Sequence, residues 1–191
     1  MDNRLPPELI EKAVTGDTNA FEAIVRAYQS FAYVVAFRFL GQQEEAEDVV
    51  QEGFIRLWKN IYKYKPEIKL STWLYRIITN LCLDYLKSGY AKQKKNHDLQ
   101  MANEPESNDQ PDKTLQASEL NSVIQEIASA LTPKQKAVFI LRDLEGLPVE
   151  EVCVILSLSS ENVKSNLYYA RKFVSERLKV TYQITDNLST P

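Results

Sequence analysis

Apolar residues recur at three- and four-residue steps along most of this chain, and no segment alternates with the period of two that a half-buried strand needs. Over residues 20–40 the stripe is Phe21, Ile24, Val25, Tyr28, Phe31, Ala32, Val35 and Phe39, preceded by the capping run Asp17-Thr18-Asn19 and stopped by Gly41. Over 43–62 it is Ala46, Val49, Val50, Phe54, Leu57, Trp58 and Ile61, and over 71–88 it is Leu74, Ile77, Ile78, Leu81, Cys82 and Tyr85, with Ser71 placed to cap. A short helix at 7–14 completes a small N-terminal bundle. The expected fold is all-α.

The same period resumes near the C-terminus. Residues 118–131 and 133–144 read as two helices, the second opening on Pro133 after Thr132, where proline's fixed φ suits the first turn. A short helix at 148–156 then turns Val149, Val152, Cys153 and Leu156 inward. After a tight turn at Ser157-Leu158, Ser159 or Ser160 caps another helix with Val163, Leu167, Ala170 and Val174 inward. Two short amphipathic helices joined by about three residues match the helix-turn-helix arrangement. The outer face of the second carries Asn162, Lys164, Ser165, Tyr168, Tyr169, Arg171 and Lys172, donors suited to phosphates and base edges. An ordinary helical hairpin with a solvated face has the same spacing, so spacing alone leaves both readings open.

Between the two helical units lies NHDLQMANEPESNDQPDKTLQA, too poor in apolar residues to offset the entropy of ordering. The expected organisation is a unit at 1–95, a flexible acidic linker at 96–117, a second unit at 118–180 and a frayed tail at 181–191. Two cysteines far apart, a single histidine (His97) and only 5 glycines exclude a disulfide framework, most histidine metal sites and a turn-rich β protein. No apolar run reaches the roughly 18 residues of a membrane span, and the polar N-terminus lacks a signal-peptide core, so a cytoplasmic protein is expected.

The formal charge of −3 conceals strong polarity along the chain. Residues 1–52 sum to −6, residues 59–95 to +7, residues 96–117 to −4 and residues 163–179 to +4. Alternating blocks of this kind suit separate surfaces for separate partners. Within the first basic block, KNIYKYKPEIKLSTW interleaves Tyr62, Tyr64 and Trp73 with four lysines, and Tyr75, Arg76, Asn80 and Tyr85 continue the group. Rings that stack unpaired bases beside cations that follow phosphates are the equipment of single-strand binding. Trp73 and Tyr85 also suit a core or its rim; Tyr64, beside Pro66 in a loop, is the better candidate for a base. No phosphate-binding glycine loop, nucleophile motif or carboxylate–histidine constellation is present, so no catalytic residue, cofactor or small-molecule substrate is expected. Cys82 and Cys153 lie on inward stripes and read as buried thiols. The carboxylates at 44–48 lack metal-loop geometry, so no metal site is expected.

One unit suited to exposed bases and another to duplex DNA form an uncommon pair. The segments AFEAIVRAYQSFAYVVAFRFLG, AEDVVQEGFIRLWKNI, LSTWLYRIITNLCLDYLK and LTPKQKAVFILRDLEGLPVEEV…VKSNLYYARK together resemble the extracytoplasmic-function sigma factors of bacterial RNA polymerase, of the sigma-70 family, in order and over almost the whole chain. The resemblance implies a region 2 bundle and a region 4 helix-turn-helix that direct core polymerase to promoters and assist melting. It implies that Asp48, Gln51, Glu52 and Trp58 dock on the clamp of the largest polymerase subunit, with the flap of the second largest as a further contact. It implies that Lys63, Tyr64, Lys65, Arg76, Asn80 and Lys87 bind the −10 element, Tyr64 and Asn80 receiving a flipped base. It implies that Lys164, Ser165, Tyr168 and Arg171 read the −35 element, that the linker threads the RNA-exit path, and that an anti-sigma factor is a partner. The chain departs from the family's usual pattern at Ser157, where glycine is usual and a left-handed backbone is therefore expected, and at Asn166 and Tyr169, where arginine is common. Gly53, inside the docking helix, is expected to permit close packing. The competing reading is a stand-alone helix-turn-helix regulator whose N-terminal unit senses or dimerises; such a protein would bind duplex DNA without polymerase.

Overall fold

A computed structural model describes residues 5–97 and 130–181 of the chain. The linker beyond residue 97, the helix expected at 118–129 and the tail beyond 181 lie outside the described residues. Every regular element among the described residues is helical.

Helix α1 (Pro7–Val14) opens on proline at its first position. Helix α2 (Thr18–Leu40) is capped by Asp17, whose carboxylate accepts from the backbone N–H groups of Asn19 at 2.8 Å and Ala20 at 3.1 Å, and it ends on Gly41 at φ 76°. Helix α3 (Gln43–Asn60) tightens into a 3-10 turn at Ile61–Lys63, and a loop leads to α4 (Leu70–His97). Ser71 does not cap α4. The helix begins a residue earlier, with Trp73 N–H donating to the Lys69 carbonyl at 3.1 Å, so Ser71 sits buried in the first turn. The four helices close over a core in which Ile24, Leu57, Leu74 and Ile78 are sealed from solvent. Truncating one such residue to Ala costs roughly 2–5 kcal/mol. A Cβ placed on Gly53 would collide with Ile78 Cδ1, so glycine is what lets α3 approach α4 this closely.

In the C-terminal unit, Thr132 and Gln135 form a reciprocal capping box for α5 (Pro133–Phe139). The helix expected to run to 144 instead widens into a π turn at Ile140–Leu144, with Glu145 N–H donating to the Ile140 carbonyl at 2.9 Å. The wide turn frees the Leu144 carbonyl for Arg38 and is tied off by Arg142 donating to the Leu147 carbonyl. Helix α6 (Val149–Leu156), the turn and α7 (Ser160–Thr181) make the helix-turn-helix. Ser157 holds the left-handed conformation at φ 53°.

The two units pack against each other, α5 and α6 lying on α4, and one buried apolar cluster runs through both. Polar contacts frame the seam. Arg38 donates to the Leu144 carbonyl at 2.9 Å and pairs with Glu145, which also accepts from the Tyr75 hydroxyl at 3.0 Å. Glu151 accepts from Lys69 at 2.6 Å and Thr72 at 3.2 Å, and Arg76 donates to Ser157 Oγ at 3.4 Å. Burial, reinforced by the charge and hydrogen bond of Glu145, pushes the Tyr75 phenol far above its usual range. Lys136 is buried on the same seam, and desolvation lowers its ammonium pKa, with Cys82 partly opposing the shift.

Candidate nucleic-acid interface

The loop between α3 and α4 is short and carries Pro66, so it cannot extend either helix and instead folds its side chains back over the helix ends. The result is an open pocket of about 440 Å³. Tyr64 and Trp73 form one wall, their ring centroids 5.8 Å apart and the planes inclined by 23°, an offset stack. Ile68 and Ile77 add apolar surface, while Arg56, Lys63, Lys65 and Arg76 put cations on the lining and Asn60 offers an amide. Partial burial, with the nearby Glu67 charge, raises the Tyr64 phenol pKa, so Tyr64 presents a neutral ring and hydroxyl. A flat aromatic wall between apolar patches, rimmed by four cations, is chemically matched to an unpaired base on a phosphodiester strand.

Four of the six residues assigned by resemblance to the −10 element, Lys63, Tyr64, Lys65 and Arg76, converge on this pocket. Asn80 and Lys87 do not line it. They continue from Arg76 as an exposed stripe along α4, reaching about 16 Å beyond it at 1.5 Å per residue. Lys87 stands 3.6 Å from Asp84. Tyr85 also lies away from the pocket and hydrogen-bonds Glu45 across the α3–α4 groove; that bond raises its pKa. Trp73 stacks beside Tyr64 while its body packs on the core, as expected of a residue at the core's rim. Arg56, Asn60, Ile68 and Ile77 also line the pocket; Asn60 and Ile68 lie beside or within the loop itself, whereas Arg56 and Ile77 stand about one or two helical turns from it.

On the other side of α3, Asp48 and Glu52 line a second groove with Glu45, Asp84 and Tyr85, and Gln51 is exposed beside it. Glu52 is bridged to Arg56 at 2.6 Å. Trp58 turns part of its ring inward against Phe21, with centroids 4.7 Å apart, and so also serves the α2–α3 packing. Ile55, 46% exposed, is the apolar residue on this face that the sequence reading passed over.

The helix-turn-helix presents Lys164, Ser165 and Tyr168 outward on α7. Tyr168 packs edge-on to Tyr169, centroids 5.5 Å apart. Arg171 points elsewhere: its guanidinium grips Asp143 through two bonds of 2.6 and 2.8 Å, which hold its proton more tightly and tie α7 to the π turn.

The chain matches two described families, Sigma-70 region 2 over residues 24–91 and Sigma-70, region 4 over residues 122–174. It is 31% identical over 183 residues to the ECF RNA polymerase sigma factor SigW of Bacillus subtilis, covering 89% of this chain and 95% of that one. It is 28% identical to the ECF RNA polymerase sigma-E factor of Haemophilus influenzae, covering 90% of this chain and 94% of that one. Among solved structures it resembles CnrH, solved with the cytosolic domain of CnrY, at TM-score 0.66 and 20% identity over 91% of this chain and 96% of that one. It resembles the sigma factor RpoE of Bartonella quintana, solved with the anti-sigma factor NepR, at TM-score 0.66 and 19% identity over 84% of this chain and 97% of that one. At these identities the structural likeness bears on fold.

Proposed function

The chain belongs to the extracytoplasmic-function sigma factors of the sigma-70 family, and on that premise we propose how its surfaces share the work of transcription initiation. The protein directs core RNA polymerase to promoters. A stand-alone regulator is not favoured, because the family match extends through the N-terminal unit as well as the helix-turn-helix. In our reading residues 1–95 form the region 2 unit, 96–117 the linker, 118–180 the region 4 unit and 181–191 the tail. The acidic groove of Asp48 and Glu52, with Gln51 and the edge of Trp58, meets the basic clamp of the largest subunit, and region 4 meets the flap of the second largest. No helix among the described residues is long and apolar enough to cross a membrane, and we place the protein in the cytoplasm with its polymerase, acting without catalysis of its own.

The observation that carries the −10 assignment is the cation-rimmed pocket walled by Tyr64 and Trp73. A base drawn from the duplex loses its stacking partners at a cost of a few kcal/mol, and stacking in such a pocket returns part of that. Lys63, Lys65 and Arg76 take the adjoining phosphates, Asn80 offers hydrogen bonds one turn further along α4, and Lys87 extends the track. On region 4, Lys164, Ser165 and Tyr168 face the major groove of the −35 element, and Arg171, anchored to Asp143, orients the helix that carries them. The sigma factor RpoE, solved with the anti-sigma factor NepR, supports an anti-sigma partner here too. The experiment is run-off transcription from a randomised promoter library with core polymerase, paired with a pull-down of core at low salt. Promoter-selective transcripts and core retention are expected; no association with core would refute the reading.

A further inference from the structure

Lys164, Tyr168 and Arg171 follow one another along α7 at steps of four and three, so they share one side of the helix. Arg171 stands about 10 Å along the axis from Lys164 and within about 20° of it around the helix. Val163, Leu167, Ala170 and Val174 keep another side of α7 in the core, and Lys164, Tyr168 and Arg171 are left exposed. From position alone Arg171 is a second cation for the DNA backbone. In the structure it is turned away from that task. Its Nε donates to Asp143 Oδ2 at 2.8 Å and its Nη2 donates to Asp143 Oδ1 at 2.6 Å. Two parallel charge-assisted bonds between a guanidinium and a carboxylate are among the strong polar contacts, and they fix direction as well as distance.

Asp143 sits on a rigid mount. It belongs to the π turn Ile140–Leu144, in which Ile140 and Leu141 are sealed from solvent, and Arg142 ties the turn to the Leu147 carbonyl. The Asp143 side chain is only 20% exposed, whereas that of Arg171 is 58% exposed. The carboxylate is thus the anchored partner, and the long arginine is the one free to leave. An ion pair in water is weak and open to competition, but a shielded carboxylate gripping through two bonds favours the pair over a passing phosphate.

We propose that Asp143 is a specificity-determining residue of the −35 contact: by holding Arg171 it pins α7 to the π turn and withholds one cation from the DNA backbone, so that Lys164, Ser165 and Tyr168 meet base edges without added attraction to wrong sites. This rests on the −35 reading given above. Phosphate contacts carry no sequence information and act alike at every site. A freed Arg171 strengthens binding to any duplex, and a helix no longer pinned settles on backbone where its reading side chains do not fit. Both changes erode discrimination. Asp143 touches no DNA in this reading and acts through Arg171, as a positioning residue.

The test uses holoenzyme reconstituted from core polymerase and the full chain, with two duplexes: a promoter recovered from the randomised library and the same promoter with its −35 block scrambled. Binding is followed by anisotropy from about 50 to about 200 mM salt. D143N frees Arg171, and one more neutralised phosphate adds about 0.9 to the salt slope, so its affinity should fall about 3.5-fold further than that of wild type across this range. Its preference for the matched −35 block should drop several-fold, chiefly because the scrambled duplex is bound more tightly at low salt. D143N/R171M removes both charges; it should keep the wild-type slope yet lose preference, because the pair brings no net charge to DNA but does pin α7. D143E, which keeps the carboxylate, and the exchange D143R/R171D, which rebuilds the pair with its cation on the π turn, should recover preference. Thermal melting checks that each variant is folded, and the double variant reads the same slope should D143N melt low. A D143N slope equal to that of wild type overturns the proposal. So does a D143N/R171M slope lower by about 0.9, since Arg171 would then already lie on a phosphate. Failure of both D143E and the exchange to recover preference overturns it too. A wild type that binds the two duplexes alike overturns the −35 reading itself, so the two failures are distinguishable.

Discussion

Replacing Tyr64 with Ala removes one face of the stacking wall while leaving the helices intact, because Tyr64 lies in the connecting loop, outside α3 and α4. Stacking of a base on an aromatic ring is worth roughly 1–3 kcal/mol, which is about 5- to 150-fold in the equilibrium between closed and open promoter complexes. Trp73→Ala should lose as much but also destabilises the fold by about 2 kcal/mol, since the ring is half buried against the core. Tyr64→Phe keeps the ring and should stay within about twofold of wild type. The two rings touch in an offset stack at 5.8 Å, so the double Ala variant should fall short of the summed losses by about 0.5–1.5 kcal/mol. The assay is fluorescence of 2-aminopurine placed in the −10 element of the non-template strand, with the reconstituted holoenzyme, alongside core affinity measured by anisotropy. Loss of melting with core affinity preserved is the expected outcome. If Tyr64→Ala weakens core binding by the same factor as melting, the pocket belongs to the polymerase interface and the stacking argument is wrong.

Asp48→Arg should abolish retention of core polymerase while shifting stability by no more than about 0.5 kcal/mol, because Asp48 is exposed on the acidic groove; undiminished binding refutes the docking face. Gly53→Val should lower Tm by at least 4 °C, since overpacking against Ile78 costs about 1–3 kcal/mol. An unchanged Tm would mean that α3 and α4 do not approach so closely. Burial pushes the Cys82 thiol up to about 12, whereas Cys153, expected from its stripe to be buried, is only partly so; at pH 8 a disulfide reagent should therefore label Cys153 in the native chain and Cys82 only after denaturation. The sign of the linkage follows: the unfolded thiol ionises near its ordinary value and the folded one later, so stability from the buried neutral thiol is complete below about pH 9 and is lost as pH rises towards 12. Urea midpoints at pH 8 and pH 10.5, compared with those of Cys82→Ala, measure it.

The parts of this fold that depend on neighbours in sequence were legible before any coordinates. Asp17 before an apolar stripe and Gly41 after it mark the ends of α2 because a side-chain cap and a left-handed stop act within one turn. The same logic anticipates the Thr132–Pro133 start, whereas the left-handed Ser157 was expected from the family resemblance and the close packing at Gly53 is a contact with Ile78 of another helix. Ser71 shows the limit, since Lys69 and Leu70 begin the helix first and the serine is drawn into the core. The pocket was half legible. Its tyrosine, lysines and arginine lie in one alternating run, but Arg56, Asn60 and Ile77 enter only through the angle at which α3 delivers the chain to α4. The Arg38–Glu145 contact joins residues 107 apart in sequence, and the π turn that presents Glu145 answers to partners in the other unit. No local pattern encodes either.

Charge follows the same division between local and tertiary information. The +7 of residues 59–95 is divided among different neighbours in the folded chain. Lys69 is engaged by Glu151 and Lys87 stands beside Asp84, while Lys63, Lys65 and Arg76 gather around the stacking wall. On the C-terminal unit Arg171 is gripped by Asp143, while Lys164, Lys172, Arg177 and Lys179 are exposed along α7, Lys172 standing 4.0 Å from Glu176. Affinity for a polyanion rises with each phosphate neutralised, so the clustering of Lys63, Lys65 and Arg76 matters more than the total of the block.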